Sequence, residues 1–353
     1  MVSKPPAGDG RTGHALSPED SFRLQVLLAQ DLKAVRIEES ESSPALYALT
    51  DRGEARIPLS PNVRLDKYLR HLRELLSGHA LGSPGGYPVF LTRWTRHGQM
   101  EGLNLGRLLL TGEPEAVVAV VHSPGLSDEL ARHAWWAMPS IENARLMLRR
   151  EAVARGSMGP VLADFLVEHL PFLQDEHLDI MDTVVVLLYS GVLSDAQRAA
   201  IWRRGKRVNT HYVGFLEVAG WDRPQPLPLP LPARAAPPMA AEEAAVLARA
   251  FTAQGQTFLT AAAEILEHPE TQEVVNRTLD AIGRYFRAGA AIGEGNGSGL
   301  VGPLVAAVGL ASVNHTLVEP IFARSSAIGS LMRRKIAPVV TPLLEDIRHL
   351  LGG

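Results

Sequence analysis

The chain of 353 residues contains no cysteine. It therefore forms no disulfide bond, and nothing in it requires an oxidising compartment. The absence of thiols also excludes a thiolate nucleophile, a cysteine-ligated zinc site and a cysteine-ligated iron–sulfur cluster. For the same reason no side chain can carry a persulfide.

The sequence also lacks a long uninterrupted hydrophobic run. Its most apolar window, residues 300–313, is broken by two glycines and a proline, whereas a membrane-spanning helix needs about 20 consecutive apolar residues. Residues 1–16 are polar and rich in glycine and proline, which is unlike a signal peptide and predicts a disordered lead-in. We therefore expect no transmembrane segment and a cytoplasmic location.

Charge of neither sign is in excess, because 38 acidic residues stand against 35 lysines and arginines, for a net charge of −3. This balance argues against a dedicated nucleic-acid coat protein. The length exceeds the usual limit of about 250–300 residues for a single hydrophobic core. We expect one large domain or two smaller ones.

Local patterns predict a small α+β section over residues 17–100. Ser17 can cap a helix whose first position is Pro18. A leucine stripe over residues 65–76, ended by Gly78, predicts a second helix. Between these helices lie three short extended runs, which predict a β-hairpin or a three-stranded meander, at residues 34–39, 45–50 and 54–59.

The remainder of the chain predicts a mostly α fold. Short helical patterns joined by brief turns favour a helical-hairpin array over residues 101–220. Residues 221–239 are rich in proline, which favours an extended linker. Residues 240–353 predict a C-terminal helical bundle that contains a glycine-rich loop at 289–302 and is broken near Pro320 and Pro338.

Histidine and carboxylate side chains are close together in sequence near residue 170, and they suggest a metal site. The candidate ligands are His169, His177, Glu168 and Asp175, since imidazole and carboxylate groups bind zinc, iron or manganese. The His-Glu-x-x-His spacing is absent, and Glu168 and His169 point about 100° apart on a helix. The alternative is a solvated corner between two helices.

No segment predicts a catalytic or cofactor-binding site. The glycine-rich loop has no lysine at its end, so it does not match a phosphate-binding P-loop. Ser298 is flanked by glycines at the wrong offset for a nucleophile elbow. The sequence therefore assigns no catalytic residue, and any cofactor stays unknown.

Two tryptophan-containing segments are candidates for partner binding. One combines stacking and cationic side chains in Arg93, Trp94, Arg96 and His97, and the other holds the adjacent Trp135 and Trp136. Adjacent tryptophans on a helix cannot both face one core, so one of them is a candidate for a partner surface. The alternative is burial between helix layers.

A third segment, residues 202–207, again places a tryptophan beside several cations. Such a combination can bind single-stranded nucleic acid or phosphate. The alternative is a tryptophan anchored in the core with the arginines directed outward. Nucleic acid is therefore an alternative partner, and homo-oligomerisation stays open.

Several motifs in the first half of the chain occur together. They include Ser17-Pro18-Glu19-Asp20, Glu54-Ala55-Arg56-Ile57-Pro58-Leu59, Leu81-Gly82-Ser83-Pro84-Gly85-Gly86-Tyr87-Pro88-Val89, Arg93-Trp94-Thr95-Arg96, Pro114-Glu115-Ala116-Val117-Val118-Ala119-Val120 and Trp135-Trp136-Ala137-Met138-Pro139. Together they resemble the DsrS family of sulfur-oxidising bacteria, whose members are encoded with the reverse dissimilatory sulfite reductase system.

The resemblance implies a cytoplasmic accessory protein that acts on expression or maturation of the sulfur-oxidation pathway. It carries over no catalytic residue, because the family has none assigned. We therefore expect a non-enzymatic, regulatory interaction protein whose partner is a protein of that pathway. The alternative is a metal-binding enzyme or maturation factor that uses the His/Glu/Asp cluster of the helical array.

Overall fold

The computed structural model describes most of the chain, in the ranges 16–82, 105–173, 176–221, 224–236, 247–287 and 302–352. The predicted lead-in and the predicted glycine-rich loop lie outside the described residues, apart from Leu16 and Gly302. The protein is mostly α-helical, with a small three-stranded sheet near its N-terminus, as the sequence predicts. The chain divides into two compact units, residues 1–158 and 159–353.

The first unit begins with helix α1 (Pro18–Leu28), whose N-cap Ser17 accepts a hydrogen bond from the Asp20 amide at 3.1 Å. The three extended runs form an antiparallel meander in the order β1, β2, β3. The strands are β1 (Leu32–Glu38), β2 (Ala45–Thr50) and β3 (Gly53–Pro58).

Helix α2 (Leu65–Leu81) continues past Gly78, where the sequence predicts its end. It ends instead at Gly82, whose φ of +63° is the left-handed conformation that terminates many helices. An interior glycine weakens a helix by only about 1 kcal/mol, which buried leucines on α2 offset. The unit continues with α3 (Leu105–Leu108), α4 (Pro114–His122), α5 (Asp128–Ala137), α6 (Ile141–Leu148) and α7 (Glu151–Ala154).

A buried carboxylate joins the parts of the α+β section. Asp20 is fully buried, and its Oδ2 accepts hydrogen bonds from the Tyr68 hydroxyl at 2.6 Å and from the Ser60 amide at 2.8 Å. Burial, and then Asp20, raise the pKa of Tyr68, so the phenol remains a proton donor. The carboxylate thus links α1, the segment after β3 and α2 through the apolar core.

Among the residues that the structure describes, all regular structure of the second unit is helical. Its elements are α8 (Met158–His169), a 3₁₀ turn (Leu170–Phe172), α9 (His177–Ser190), α10 (Asp195–Arg204), α11 (Thr210–Ala219), α12 (Ala253–Glu267), α13 (Gln272–Arg287), α14 (Gly302–Ala311), α15 (Glu319–Phe322) and α16 (Gly329–Leu351). Every residue of α11 is buried, and this helix packs against α9 and α13. Within the described ranges, no helix combines the length and the apolar character that crossing a membrane requires.

Helix α16 passes through Pro338 and Pro342, so the break that the sequence predicts near Pro338 is absent. An interior proline removes a backbone hydrogen bond and costs about 3 kcal/mol. The buried face of α16, which includes Ile336 and Val340, packs against α12 and α14 and offsets that cost.

The sequence predicts that the proline-rich segment links two domains. In the structure this segment lies inside the second unit. Residues 224–236, named the proline strap, follow the surface without helix or strand. The Leu227 amide donates to Gln254 at 2.6 Å, and the Gln254 amide group donates back to the Leu227 carbonyl at 3.1 Å. The Leu231 amide donates to the Thr257 hydroxyl at 2.8 Å. Proline leaves few backbone donors in this segment, and helix α12 binds two of them.

A partly buried guanidinium joins three helices of the second unit. Arg277 on α13 forms a bidentate pair with the buried Glu217 of α11, and its Nη1 donates to Asp182 of α9 at 2.7 Å. Burial alone lowers the pKa of Arg277, but hydrogen bonds and charge from Glu217 and then Asp182 outweigh it and raise the pKa. The guanidinium therefore stays charged and fixes the positions of all three helices.

We expect Arg277→Met to lower the free energy of unfolding by about 3 kcal/mol, because it leaves the buried Glu217 carboxylate unpaired. Urea unfolding followed by circular dichroism measures the change. Arg348→Met is the matched control, since its ion pair with Glu267 is largely exposed and should contribute less than about 1 kcal/mol. Equal effects of the two substitutions would contradict the assigned role of Arg277.

Two helix glycines should respond oppositely to alanine. At Gly283, a Cβ would lie 1.8 Å from the Val313 carbonyl oxygen, whereas at Gly78 no atom lies within 4 Å of the Cβ position. Gly283→Ala should lower the free energy of unfolding by about 2–3 kcal/mol through overpacking. Gly78→Ala should raise it by about 0.5–1 kcal/mol through helix propensity. Urea midpoints of the two variants test the difference in sign.

Candidate interaction surface

The residues that the sequence proposes for partner binding fall in two places. Arg93, Trp94, Arg96 and His97 lie outside the described residues, so their role stays a prediction. Trp135 and Trp136 lie in the last turn of α5, which packs against β1. Both tryptophan side chains are half-buried.

Strand register places three polar residues in one row on the face of the sheet opposite the core. Arg36 on β1 is directly opposite Tyr47 on β2, and Tyr47 is directly opposite Arg56 on β3. The Arg36 guanidinium lies 4.7 Å from the centroid of the Tyr47 ring. Arg56 Nε donates to the Tyr47 hydroxyl at 3.1 Å, and that hydroxyl donates to Glu38 at 2.9 Å. The row is thus held by cation–π and hydrogen-bond contacts.

Trp136 completes this row from helix α5. Its indole Nε1 donates to Glu54 Oε2 at 2.9 Å, and the same oxygen accepts from Arg36 at 3.2 Å. The Arg36 guanidinium lies 4.9 Å from the Trp136 ring centroid, so it contacts two aromatic rings and one carboxylate. We name Arg36, Tyr47, Glu54, Arg56 and Trp136 the arginine–aromatic surface.

The chemistry of this surface suits binding rather than bond cleavage. It presents tryptophan, tyrosine and arginine, the side chains that most often dominate binding energy at protein interfaces. The aromatic rings and the Arg36 guanidinium are already held in place by their mutual contacts, which reduces the entropy lost on binding. Arg56 and Glu54 are exposed and can form ion pairs with a partner.

Sequence reasoning identified Trp136 but missed the strand residues of this surface. The available signal was the alternation of polar and apolar residues in β1 and β3, which places Arg36 with Glu38 and Glu54 with Arg56 on one face. Alternation does not reveal which helix covers that face. Only the packing of α5 against β1 brings Trp136 to Arg36.

Two of the candidate metal ligands, His169 and His177, have other partners. His169 Nδ1 hydrogen-bonds to the Phe165 carbonyl at 2.8 Å, and its ring lies 3.9 Å from the Phe165 ring. No group of three or more metal-binding side chains occurs among the residues that the structure describes. Because Asp175 lies outside those residues, a site formed by Glu168, His169, Asp175 and His177 stays a prediction.

His177 belongs to a different cluster, at the start of α9. Its Nδ1 lies 3.0 Å from the Thr210 hydroxyl and 3.0 Å from Glu270 Oε2, and the Thr210 hydroxyl donates to the same carboxylate oxygen at 2.6 Å. A catalytic triad needs the hydroxyl and the carboxylate on opposite nitrogens of the ring. Both contacts here use Nδ1, so the cluster joins helix ends and does not activate Thr210.

In the third tryptophan-containing segment, residues 202–207, the tryptophan is anchored in the core, which was the alternative to nucleic-acid binding. The side chain of Trp202 is buried, and its ring centroid lies 4.5 Å from Tyr212 and 5.2 Å from Phe215. Arg203 and Lys206 are exposed. The ring of Trp202 is therefore a core contact and not an exposed stacking platform.

Comparison of the chain with protein-family models, with curated proteins and with solved structures gives no match.

We expect His177→Ala to lower the free energy of unfolding by about 1 kcal/mol, because it removes the imidazole bonded to Thr210 and Glu270. The exposed His349 provides the control, and His349→Ala should change the free energy by no more than about 0.5 kcal/mol. Urea unfolding measures stability, and elemental analysis of the same samples measures bound metal. Loss of metal at unchanged stability would contradict the structural role of His177.

Proposed function

We propose that the protein is a non-enzymatic accessory protein that binds a protein partner in cytoplasmic sulfur oxidation. The resemblance of its first half to the DsrS family supports the pathway. The arginine–aromatic surface supports the mode of action, because it belongs to the same half of the chain and has the composition of an interface.

The observation that carries the proposal is the position of Arg36 between two aromatic rings and the Glu54 carboxylate. An arginine that serves only to increase solubility does not need contacts with two aromatic rings and a carboxylate. The arrangement holds a planar cation in one orientation beside the exposed Arg56. A partner with an acidic, partly apolar surface would complement it.

The test is a tagged pull-down from cells that are oxidising reduced sulfur, with the eluted proteins identified by mass spectrometry. We expect wild-type protein to retain a component of the reverse dissimilatory sulfite reductase system. Arg56→Glu and Trp136→Phe should weaken binding of the purified component by about tenfold or more, because arginine and tryptophan contacts dominate interfaces.

Arg64→Glu is the matched control, because Arg64 is exposed in the same unit and pairs only with the neighbouring Asp66 among the described residues. It should leave the affinity within about twofold of wild type. Loss of binding in the control as well would show that charge in general, and not this surface, attracts the partner. Retention of proteins unrelated to sulfur oxidation would contradict the pathway.

A further inference from the structure

A groove on the second unit has the size and lining of a small-molecule site. Its volume is about 560 Å³, within the range of about 300–1,000 Å³ that ligand sites occupy. The floor is formed by the buried Trp202, Tyr212 and Ala261, and one wall is formed by Leu229 and Leu231 of the proline strap. Thr257 and Thr260 also line the groove, and most of its accessible lining is apolar.

The strap wall is held in an unfavourable conformation. Leu229 has a φ of +54°. It is the only non-glycine residue with a positive φ in the described ranges. Its side chain is 49% exposed, so burial of the leucine does not compensate for the strained backbone. Hydrogen bonds from Leu227 to Gln254 and from Leu231 to Thr257 fix the strap on both sides. Strained residues held by their surroundings cluster at ligand-binding sites.

Two cations line this groove. Arg203 and Lys206 line it, are exposed, and form no ion pair with any residue that the structure describes. Glu264 is also among the lining residues. Burial, and then Glu264, raise the pKa of Tyr212 to about 12, so the phenol in the floor is neutral near pH 7. The groove thus combines an apolar channel with a small excess of positive charge.

We infer that this groove binds a medium-chain fatty carboxylate. The aliphatic chain would lie between the strap leucines and the aromatic floor, and the carboxylate would pair with Arg203 and Lys206. A nucleotide or polyphosphate fits less well, because Glu264 repels a multiply charged anion more strongly than a singly charged one. The inference concerns the second unit and does not depend on the arginine–aromatic surface.

Titration calorimetry of the full chain with decanoate tests the site, with acetate and decanol as comparison ligands. We expect saturable binding of one decanoate per chain. Acetate, which has the charge without the chain, should not bind detectably. Decanol, which has the chain without the charge, should bind about tenfold more weakly.

The double substitution Arg203→Glu/Lys206→Glu should weaken decanoate binding by at least about tenfold. The control is Arg207→Glu/Arg334→Glu, which makes the same change of charge at two exposed residues that do not line the groove. It should leave the affinity within about twofold of wild type. Circular dichroism melting of both variants confirms that the fold is intact.

A second variant tests the strap independently of charge. Leu229→Asp places a carboxylate in the wall and should abolish decanoate binding, while this exposed position should tolerate the change without loss of fold. The inference is overturned if decanoate does not bind wild-type protein, if decanol binds as tightly as decanoate, or if the groove and control variants lose affinity equally.

Discussion

The Arg277 guanidinium is the contact on which the second unit most depends. It binds Glu217 through two nitrogens and Asp182 through a third, so it joins α13, which carries it, to α11 and α9. An ion pair with a buried carboxylate such as Glu217 adds little net stability compared with an apolar packing of similar volume. It does restrict how the helices are arranged, because the geometry of a bidentate pair allows little change in their relative rotation and translation. The completely buried α11 can rotate little once Glu217 is bound.

In the first unit, Asp20 and Tyr68 have the corresponding role. A fully buried carboxylate in an apolar core destabilises the fold unless hydrogen bonds satisfy it. The Tyr68 hydroxyl and the Ser60 amide supply two such bonds, so α1, α2 and the end of the sheet have one compatible arrangement. With the core face of the sheet fixed in this way, the strand register places Arg36, Tyr47 and Arg56 together on the other face.

The proline strap illustrates how a composition that opposes regular structure can still be ordered. Prolines lack amide donors, so the strap cannot join a helix or a sheet. Side chains of α12 satisfy the amides that remain at Leu227 and Leu231. The same bonds hold Leu229 at its positive φ and keep a groove open beside it. The proline strap, whose composition predicts a spacer, thereby forms a wall of the groove.

The sequence by itself determined the mostly α fold, the N-terminal meander and the cap at Ser17, because these features depend on local spacing and on backbone hydrogen bonding within a few residues. It did not determine where α2 ends or that α16 passes through Pro338, since packing of distant leucine and isoleucine side chains offsets the local preferences of glycine and proline. It identified Trp136 but not Arg36, Tyr47 or Arg56. Only the tertiary structure decided this grouping, because a side chain's partners depend on which helices and strands pack together. That choice is made by the whole apolar core and by a few buried charges such as Glu217.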